Sequence, residues 1–250
     1  FLIDNNIIEK IINIVNIKNG NILEIGPGTG NLTSAILQKN PKELYVVEKD
    51  SDLANELSTK FDEKIKIINK DILKLDESKI SKNKFTVFGN LPYNISTEIL
   101  CKWILNLKEK FWFDYLILMF QKEVANRIIA DFDTNDYSRL TIISKWKLEV
   151  EKICDIKPTS FLPKPKVDSS LIVFKPKKKF YRFDNPKNLE KVTRIFFMHK
   201  RKMIKKPYNQ IFNGDTSIAN KLKINLNLRP QNINFETYYE LTKQYELLRR

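Results

Sequence analysis

The chain has 250 residues, a formal net charge of +14 and a sequence pI near 9.5. This length allows one large domain or a large domain with a small one, and the positive charge attracts polyanions such as nucleic acids. Two cysteines and one histidine argue against a disulfide framework, a zinc site and a histidine-based triad. No apolar run in the sequence is long enough to span a bilayer.

The first predicted strand is short and buried, covers residues 21–25 and runs into the loop Gly26-Pro27-Gly28-Thr29-Gly30. A helix is predicted to begin near Asn31. Glycines at the first strand-to-helix turn let a ligand approach the backbone closely. Their G-x-G-x-G spacing differs from the G-x-G-x-x-G of dinucleotide binders and disfavours a pyrophosphate site. Ordinary turn formation is the alternative interpretation of these glycines.

Two further predicted strands lead to acidic residues. Residues 43–47 are followed by Glu48, which lies about 20 residues beyond the glycines, as the ribose-binding acid of such folds does. Residues 64–69 lead to Asp71, whose carboxylate can accept a hydrogen bond from an adenine amino group. The alternatives are a solvated strand end for Glu48 and an N-cap for Asp71.

A fourth strand, residues 85–89, runs into Asn90-Leu91-Pro92-Tyr93. Pro92 fixes its own φ and biases Leu91 toward an extended conformation, which gives the Leu91 carbonyl a set direction. This carbonyl and the Asn90 side-chain oxygen are two acceptors for one amino group, and the Tyr93 ring can stack on a base. A β-turn with its tyrosine packed against the core is the alternative.

All of these residues follow strands, and open α/β sheets bind ligands at the carboxyl ends of their strands. A nucleoside cofactor that needs no phosphate site, beside a pocket for a base amine, indicates S-adenosylmethionine. We therefore predict an α/β protein with an open sheet that binds this cofactor and methylates an amine. Two apolar strands are predicted at residues 148–154 and 169–174, and from about Lys187 the pattern is only helical. The predicted domains are residues 1–178, for methyl transfer, and residues 179–250, a small helical domain.

Several segments resemble the ribosomal RNA adenine dimethyltransferase family, namely residues 1–4, 24–30, 90–96, 121–127 and 161–170. The similarity is greatest to the bacterial branch, which dimethylates two adjacent adenosines near the 3′ end of small-subunit (16S-type) ribosomal RNA. The resemblance implies a Rossmann-like methyltransferase sheet in an α/β domain, followed by the small C-terminal helical domain. It implies S-adenosyl-L-methionine as cofactor and ribosomal RNA in a pre-assembled small subunit as partner. It also implies a monomer in the cytoplasm, although a transit peptide before Phe1 would direct the protein to an organelle.

By motif position, the resemblance assigns cofactor contacts to Leu2, Gly26, Gly28, Glu48, Asp71 and Asn90. It assigns the catalytic turn to Asn90, Leu91, Pro92 and Tyr93. Substrate contacts fall on Tyr93, Phe161, Lys200, Arg201 and Lys202, and no metal is expected. Phe161 is either a second aromatic wall for the flipped base or a hydrophobic anchor beneath its proline-rich loop.

Three segments depart from the family pattern. The Gly-Gln-Asn run that relatives carry before Phe-Leu would lie before Phe1. Ser138 stands where relatives commonly have glycine. Residues 199–209 replace the run of arginine and asparagine that relatives usually carry. Pro207 in this segment is predicted to interrupt a helix that relatives continue.

Three other functions remain open. A large-subunit ribosomal RNA methyltransferase of the antibiotic-resistance type would share the same loops. A DNA adenine or protein-glutamine methyltransferase would use a similar Asn-Pro-Pro-Tyr pocket, but the proline-rich segment and the basic C-terminal region argue against it. A ribosome-assembly or transcription factor could retain the fold, with or without activity. Basic residues at 175–179 and 200–206 favour a nucleic-acid partner, with solvated lysines as the alternative.

Overall fold

The computed structural model describes residues 1–107 and 110–249, so residues 108, 109 and 250 of the predicted domains lie outside it. The chain forms two compact units. Apart from those residues, the first unit contains 1–102, 107–125 and 149–176, and the second contains 103–106, 126–148 and the chain from 177 onward. Each unit gathers segments that pack together and are not continuous in sequence. The single boundary after residue 178 stays a prediction.

The first unit is built on a mixed sheet. Among the described residues, seven strands follow the order β3-β2-β1-β4-β5-β7-β6. Strands β3, β2, β1, β4 and β5 are paired in parallel, whereas β7 runs antiparallel to β5. The strands are β1 (Asn21–Ile25), β2 (Glu43–Glu48), β3 (Lys66–Asn69), β4 (Phe85–Asn90), β5 (Phe113–Gln121), β6 (Leu148–Ile156) and β7 (Ser169–Pro176).

Two helices of the first unit begin at aspartates that cap them. Asp4 and Asp50 each accept two backbone N–H bonds, which start α1 and α3. The described helices are α1 (Asn5–Ile12), α2 (Asn31–Gln38), α3 (Ser51–Phe61), α4 (Ser96–Asn106), α5 (Lys122–Ile129), α6 (Arg139–Lys147), α7 (Lys187–Phe197), α8 (Lys205–Phe212), α9 (Ser217–Lys221) and α10 (Phe235–Leu247).

The predicted strands are confirmed, with changes at their ends. Strand β3 begins two residues later than predicted, because residues 62–64 form a 3-10 turn that opens at Asp62 with φ +50°. Strands β6 and β7 each extend two residues further than predicted. The sequence reading missed β5. Its continuous apolar run, residues 116–120, is buried throughout and therefore lacks the alternation typical of a half-exposed strand.

The core of the first unit holds the strands rigidly. Ile22 of β1, Val46 of β2 and Phe88 of β4 have no solvent exposure and pack in one cluster with residues of α1 and α2. Burial of each such side chain contributes about 1.5–3 kcal/mol. Because the strands are held along their length, the positions of their ends are well defined.

The second unit contains the helices predicted after Lys187. Within the described residues, α7 begins at Lys187, and the rings of Phe196 and Tyr238 pack edge to face with centroids 5.6 Å apart. The Tyr239 hydroxyl donates to the Ile142 carbonyl at 3.0 Å and joins α10 to α6. The helical character of this part of the chain is therefore confirmed.

The prediction that Pro207 interrupts a helix is wrong. Helix α7 ends at Phe197 and α8 begins at Lys205, so the break between them precedes the proline. Pro207 is the third residue of α8, where a backbone N–H has no partner inside the helix and its loss costs little. Ser138 has φ −155°, an extended conformation open to any residue, so this position does not require glycine.

The cost of a side chain at Gly30 can be separated into two parts. Gly30 has φ +80°, and an added Cβ would lie 2.6 Å from Phe61 Cε2 and 2.9 Å from Leu57 Cδ2. Gly214 also has φ +80° but no atom within 4 Å of such a Cβ. We expect Gly214→Ala to lower the free energy of unfolding by about 1–2 kcal/mol. Gly30→Ala should lower it by roughly a further 1–3 kcal/mol, because buried side chains must move.

Urea unfolding followed by circular dichroism measures both changes. Equal losses in Gly30→Ala and Gly214→Ala would show that the contacts around Gly30 impose no additional cost.

Candidate active site

Three of the predicted residues meet at one edge of the sheet. Gly26 follows β1, while Glu48 and Asn90 end β2 and β4, the two strands paired in parallel with β1. An added Cβ on Gly26 would lie only 3.3 Å from the Asn90 carbonyl oxygen. Asp71 follows β3, the neighbour of β2. The predicted convergence of these residues at the carboxyl ends of the strands is confirmed.

The glycine loop contains backbone conformations that favour glycine. Gly26 and Gly28 have φ of +66° and +57°, in the left-handed region that favours glycine. A Cβ on Gly28 would lie 2.2 Å from Cδ1 of Phe1, so the Phe1 ring already covers this side of the main chain. The Lys60 ammonium donates to the Thr29 carbonyl at 2.8 Å and holds the loop from outside. At Gly26, in contrast, the near neighbour of an added Cβ is the Asn90 carbonyl oxygen, so this part of the main chain suits a ligand that lies directly against it.

Glu48 is nearly buried, with 9% of its surface exposed. Its Oε1 accepts the backbone N–H of Asp50 at 2.9 Å, which fixes the carboxylate at the end of β2. Each carboxylate oxygen carries two lone pairs, so the group retains capacity for ribose hydroxyls. The residue therefore fits the predicted cofactor role, which stays a prediction.

Asp71 forms the N-cap of the 3-10 turn at residues 72–74, as expected from the alternative to its cofactor role. Its Oδ1 accepts the Leu73 N–H at 3.0 Å, and its Oδ2 pairs with the Lys49 ammonium at 3.0 Å. The Leu73 hydrogen bond, followed by that of Lys49, lowers the pKa of Asp71. The carboxylate thus stays ionised and an acceptor, which suits a contact with an adenine amino group. That contact stays a prediction.

Lys102 fixes the turns that follow Asp71, and the sequence reading did not single it out. Its ammonium donates to the carbonyls of Ile72 and Leu75 at 2.7 and 2.5 Å and pairs with Glu77 at 2.8 Å. Because Lys102 lies on α4, it links this segment to the helix that begins after the Asn90–Tyr93 turn.

The Asn90–Tyr93 turn lies outside any helix, since α4 begins only at Ser96. Its peptide chain turns with a hydrogen bond from Ile95 N–H to the Pro92 carbonyl at 3.1 Å. Asn90 and Tyr93 are half-buried, whereas Pro92 is exposed. A partly accessible amide and ring at the end of a strand fit the predicted acceptor and stacking surface, and the contacts with a base stay a prediction.

Phe161 is an anchor in this structure. Phe161 is 5% exposed and belongs to the hydrophobic core of the first unit, and its backbone forms an antiparallel bridge with Leu2. Leu2 is equally buried, and its carbonyl accepts a hydrogen bond from Asn31 Nδ2 at 2.8 Å. Leu162, in contrast, is 62% exposed. The packing favours the anchor interpretation of Phe161 over the aromatic wall, because the ring face is already covered.

The basic candidates lie in the second unit. Lys200, Arg201 and Lys202 occupy the turn between α7 and α8, and the last two are exposed. Lys200 is half-buried and its ammonium donates to the Asn135 carbonyl. The exposure of Arg201 and Lys202 suits contacts with phosphate groups, and the phosphate contacts of all three residues stay a prediction.

The structure draws attention to Glu24, which the sequence reading left without a role. It is 1% exposed within β1, and its Oε2 accepts the Thr33 hydroxyl at 2.7 Å. Burial raises the pKa of Glu24 to about 7, the Thr33 hydrogen bond opposes the shift, and the charge of Glu48 adds to it. The sequence signal for a buried carboxyl group was an acidic residue between the apolar residues of a predicted strand.

Glu24 should make stability depend on pH. The pKa is raised from 4.5 to about 7 in the folded state. The protonated carboxyl therefore favours folding at acidic pH, and this contribution is lost as the pH rises through about 7. Glu24→Gln removes the ionisation and keeps an acceptor for Thr33. We expect equal stability of the two proteins near pH 4, and an advantage of roughly 3 kcal/mol for Glu24→Gln above about pH 8.

Urea titrations at several pH values measure this difference. A difference that is constant from pH 4 to 8.5 would mean that Glu24 keeps the same ionisation in the folded and unfolded chains.

The part of the chain that the structure describes contains neither a cluster of metal ligands nor a helix that could span a membrane. Within residues 1–107 and 110–249, histidine, cysteine and acidic side chains form no group of three that could hold a metal ion. Across the same residues, every helix is too short or too polar to cross a membrane.

Known proteins resemble this chain over its whole length. A profile of the family described as ribosomal RNA adenine dimethylase matches residues 1–247. Ribosomal RNA small subunit methyltransferase A of Pelagibacter ubique (strain HTCC1062) is 62% identical over 249 residues, which cover 100% of this chain and 95% of that protein. A dimethyladenosine transferase from Plasmodium falciparum superposes with a TM-score of 0.80 at 26% identity, covering 98% and 97% of the two chains. The 23S rRNA methyltransferase ErmE superposes with a TM-score of 0.73 at 21% identity over 98% of each chain, a likeness of fold alone.

Proposed function

This chain belongs to the ribosomal RNA adenine dimethylase family, and we propose that its targets are the N6 amines of two adjacent adenosines near the 3′ end of small-subunit ribosomal RNA. It is an S-adenosyl-L-methionine-dependent methyltransferase that dimethylates adenine in small-subunit ribosomal RNA. The 62% identity to a small-subunit methyltransferase supports this choice of substrate. The convergence of Gly26, Glu48 and Asn90 at one edge of the sheet, with Tyr93 in the adjoining turn, supports the site of the reaction.

The residues at this edge fit the cofactor. Gly26, in the loop that also carries Gly28, would let the nucleoside lie against the main chain. Glu48 would accept hydrogen bonds from the ribose hydroxyls, and Asp71 would accept one from the adenine amino group. Leu2 would complete the pocket by packing. When bound, S-adenosyl-L-methionine supplies a methyl group activated by a positively charged sulfur.

The Asn90–Tyr93 turn would hold the target base. The Asn90 side-chain oxygen and the Leu91 carbonyl accept both protons of the exocyclic amine, which favours a pyramidal nitrogen and directs its lone pair toward the methyl group. Tyr93 stacks on the extruded base. No side chain is assigned as a general base, and the proton is lost to solvent after methyl transfer. A monomethylated amine keeps one N–H, so it rotates and uses one acceptor for the second transfer.

The partner and the location follow from this substrate. We infer that the enzyme acts as a monomer on a pre-assembled small subunit, in the cytoplasm where bacterial ribosomes are made. The net charge of +14 supports binding to RNA, with Lys200, Arg201 and Lys202 as phosphate contacts. A second role in small-subunit assembly is compatible with these contacts.

Mass spectrometry of ribosomal RNA nucleosides tests the proposal. The protein and S-adenosyl-L-methionine are incubated separately with unmethylated small subunits, with large subunits and with protein-free RNA. We expect N6,N6-dimethyladenosine in the small-subunit RNA, at two adjacent positions located by primer extension. Modification confined to the large subunit would support the antibiotic-resistance type of enzyme. Absence of modified adenosine from all three substrates would overturn the proposal.

A further inference from the structure

The ring of Tyr93 is held at its hydroxyl end. The phenol oxygen lies 2.6 Å from the Oγ of Ser169, and either hydroxyl can donate this hydrogen bond. Ser169 is the first residue of β7 and has no solvent exposure, whereas Tyr93 is half-buried. The two residues are 76 positions apart in the chain. The hydrogen bond therefore fixes the direction of a ring that the turn alone would leave free to rotate.

Ser169 is well placed to act as a fixed point. It lies opposite Gln121 in the antiparallel pairing of β7 with β5. The carbonyl of the preceding residue, Asp168, accepts the Lys122 N–H at 2.9 Å. The Asp168 carboxylate pairs with the Lys157 ammonium at 3.2 Å. Lys157 and Asp168 flank the proline-rich loop, residues 158–167, so their ion pair closes the base of that loop. The Tyr93 ring is thus tied to the rigid junction between this loop and the sheet.

The neighbouring serine has a different partner. Ser170 is also fully buried, but its Oγ donates to Asp155 Oδ1 at 2.6 Å. Asp155 is held as well by the ammonium groups of Lys122 and Lys152 at 2.9 and 2.6 Å. The hydroxyl of Ser169 bonds to Tyr93, whereas the hydroxyl of its neighbour Ser170 does not. Ser170 is therefore a matched control for Ser169.

We propose that Ser169 is a positioning residue, which orients the Tyr93 ring before the target adenine arrives; this inference rests on the proposed function of the Asn90–Tyr93 turn. A ring that is already oriented places the base amine in line with the methyl donor, and small misplacements at such a site lower the rate of the chemical step. Because the tyrosine hydroxyl is engaged by Ser169, Tyr93 contributes its ring face to the base.

The test uses three variants, namely Ser169→Ala, Tyr93→Phe and the double variant that carries both changes. Ser170→Ala is the matched control. Removal of this hydrogen bond is expected to lower kcat about 5- to 20-fold, with little change in KM for small subunits and in the Kd of S-adenosyl-L-methionine. The double variant should be no slower than either single variant, because both changes remove the same hydrogen bond. Ser170→Ala should keep the kcat of the unsubstituted protein. Melting temperatures verify that each variant is folded.

The outcomes separate this inference from the proposed function. An unchanged kcat in both Ser169→Ala and Tyr93→Phe would overturn the positioning role, and so would losses that multiply in the double variant. Tyr93→Ala, which removes the ring, tests the turn itself. Full activity of Tyr93→Ala would overturn the role of the turn. An inactive Tyr93→Ala together with a fully active Ser169→Ala would overturn only the role of Ser169.

Discussion

Methyl transfer by Asn90→Ala is expected to be about 10²–10³-fold slower than by the unsubstituted protein, the range found when one preorganised polar contact to the reacting group is removed. Asn90 ends β4, and its carbonyl lies close to Gly26 at the edge that would hold the cofactor. Without the side-chain oxygen, only the Leu91 carbonyl remains to accept from the amine. Single-turnover rates at saturating cofactor, with tritiated methyl groups and unmethylated small subunits, measure the chemical step directly.

Two controls make this result specific. Asn90→Asp keeps oxygen acceptors at the same position, so it should retain more activity than Asn90→Ala. Asn83→Ala makes the same change two residues before β4, at the opposite end of the strand, and should leave the rate unchanged. If Asn90→Ala were as fast as the unsubstituted protein, its side chain would have no part in the chemistry.

Glu48→Gln is expected to weaken binding of S-adenosyl-L-methionine about 10- to 100-fold, because hydrogen bonds to a charged group are worth about 1.5–3 kcal/mol. Glutamine has nearly the same shape and keeps an oxygen for the Asp50 N–H, so the turn after β2 should persist. The loss would therefore reflect the contacts with the ribose hydroxyls. Isothermal titration calorimetry with the cofactor measures the Kd.

Glu43→Gln is the matched control for this change. Glu43 begins the same strand that Glu48 ends, and it pairs with the Lys66 ammonium at 2.6 Å. The same loss of charge at the far end of β2 should leave the Kd unchanged. An equal Kd for Glu48→Gln and the unsubstituted protein would mean that the ribose is bound by other groups, whereas an equal weakening in both variants would indicate a general effect of charge.

The overall fold does not by itself identify which ribosomal subunit is modified. ErmE, a 23S rRNA methyltransferase, shares the fold over 98% of both chains. The 62% identity to a small-subunit methyltransferase is the observation that separates the two activities. Contacts that select the subunit are expected to lie on exposed surfaces such as the turn carrying Arg201 and Lys202, where sequence can change without affecting the core.

Local sequence patterns were sufficient for the parts of the site formed by neighbouring residues. An apolar run followed by glycines predicted β1 and its loop, and a similar run before Asn90 predicted β4 and its turn. Parallel strands joined by helices share one carboxyl edge, so the pattern also predicted that Gly26, Glu48 and Asn90 would meet. The physical reason is that strand and turn preferences arise from hydrogen bonds and side-chain periodicity within a few residues.

Contacts between distant segments were decided only by the tertiary structure. The bond from Tyr93 to Ser169 and the bridge from Leu2 to Phe161 join residues far apart in the chain, and nothing in either local pattern specifies the partner. The raised pKa of Glu24 likewise requires its complete burial beneath packed helices. Such properties depend on how the whole sheet and its helices pack, because burial and alignment are set by all the elements together.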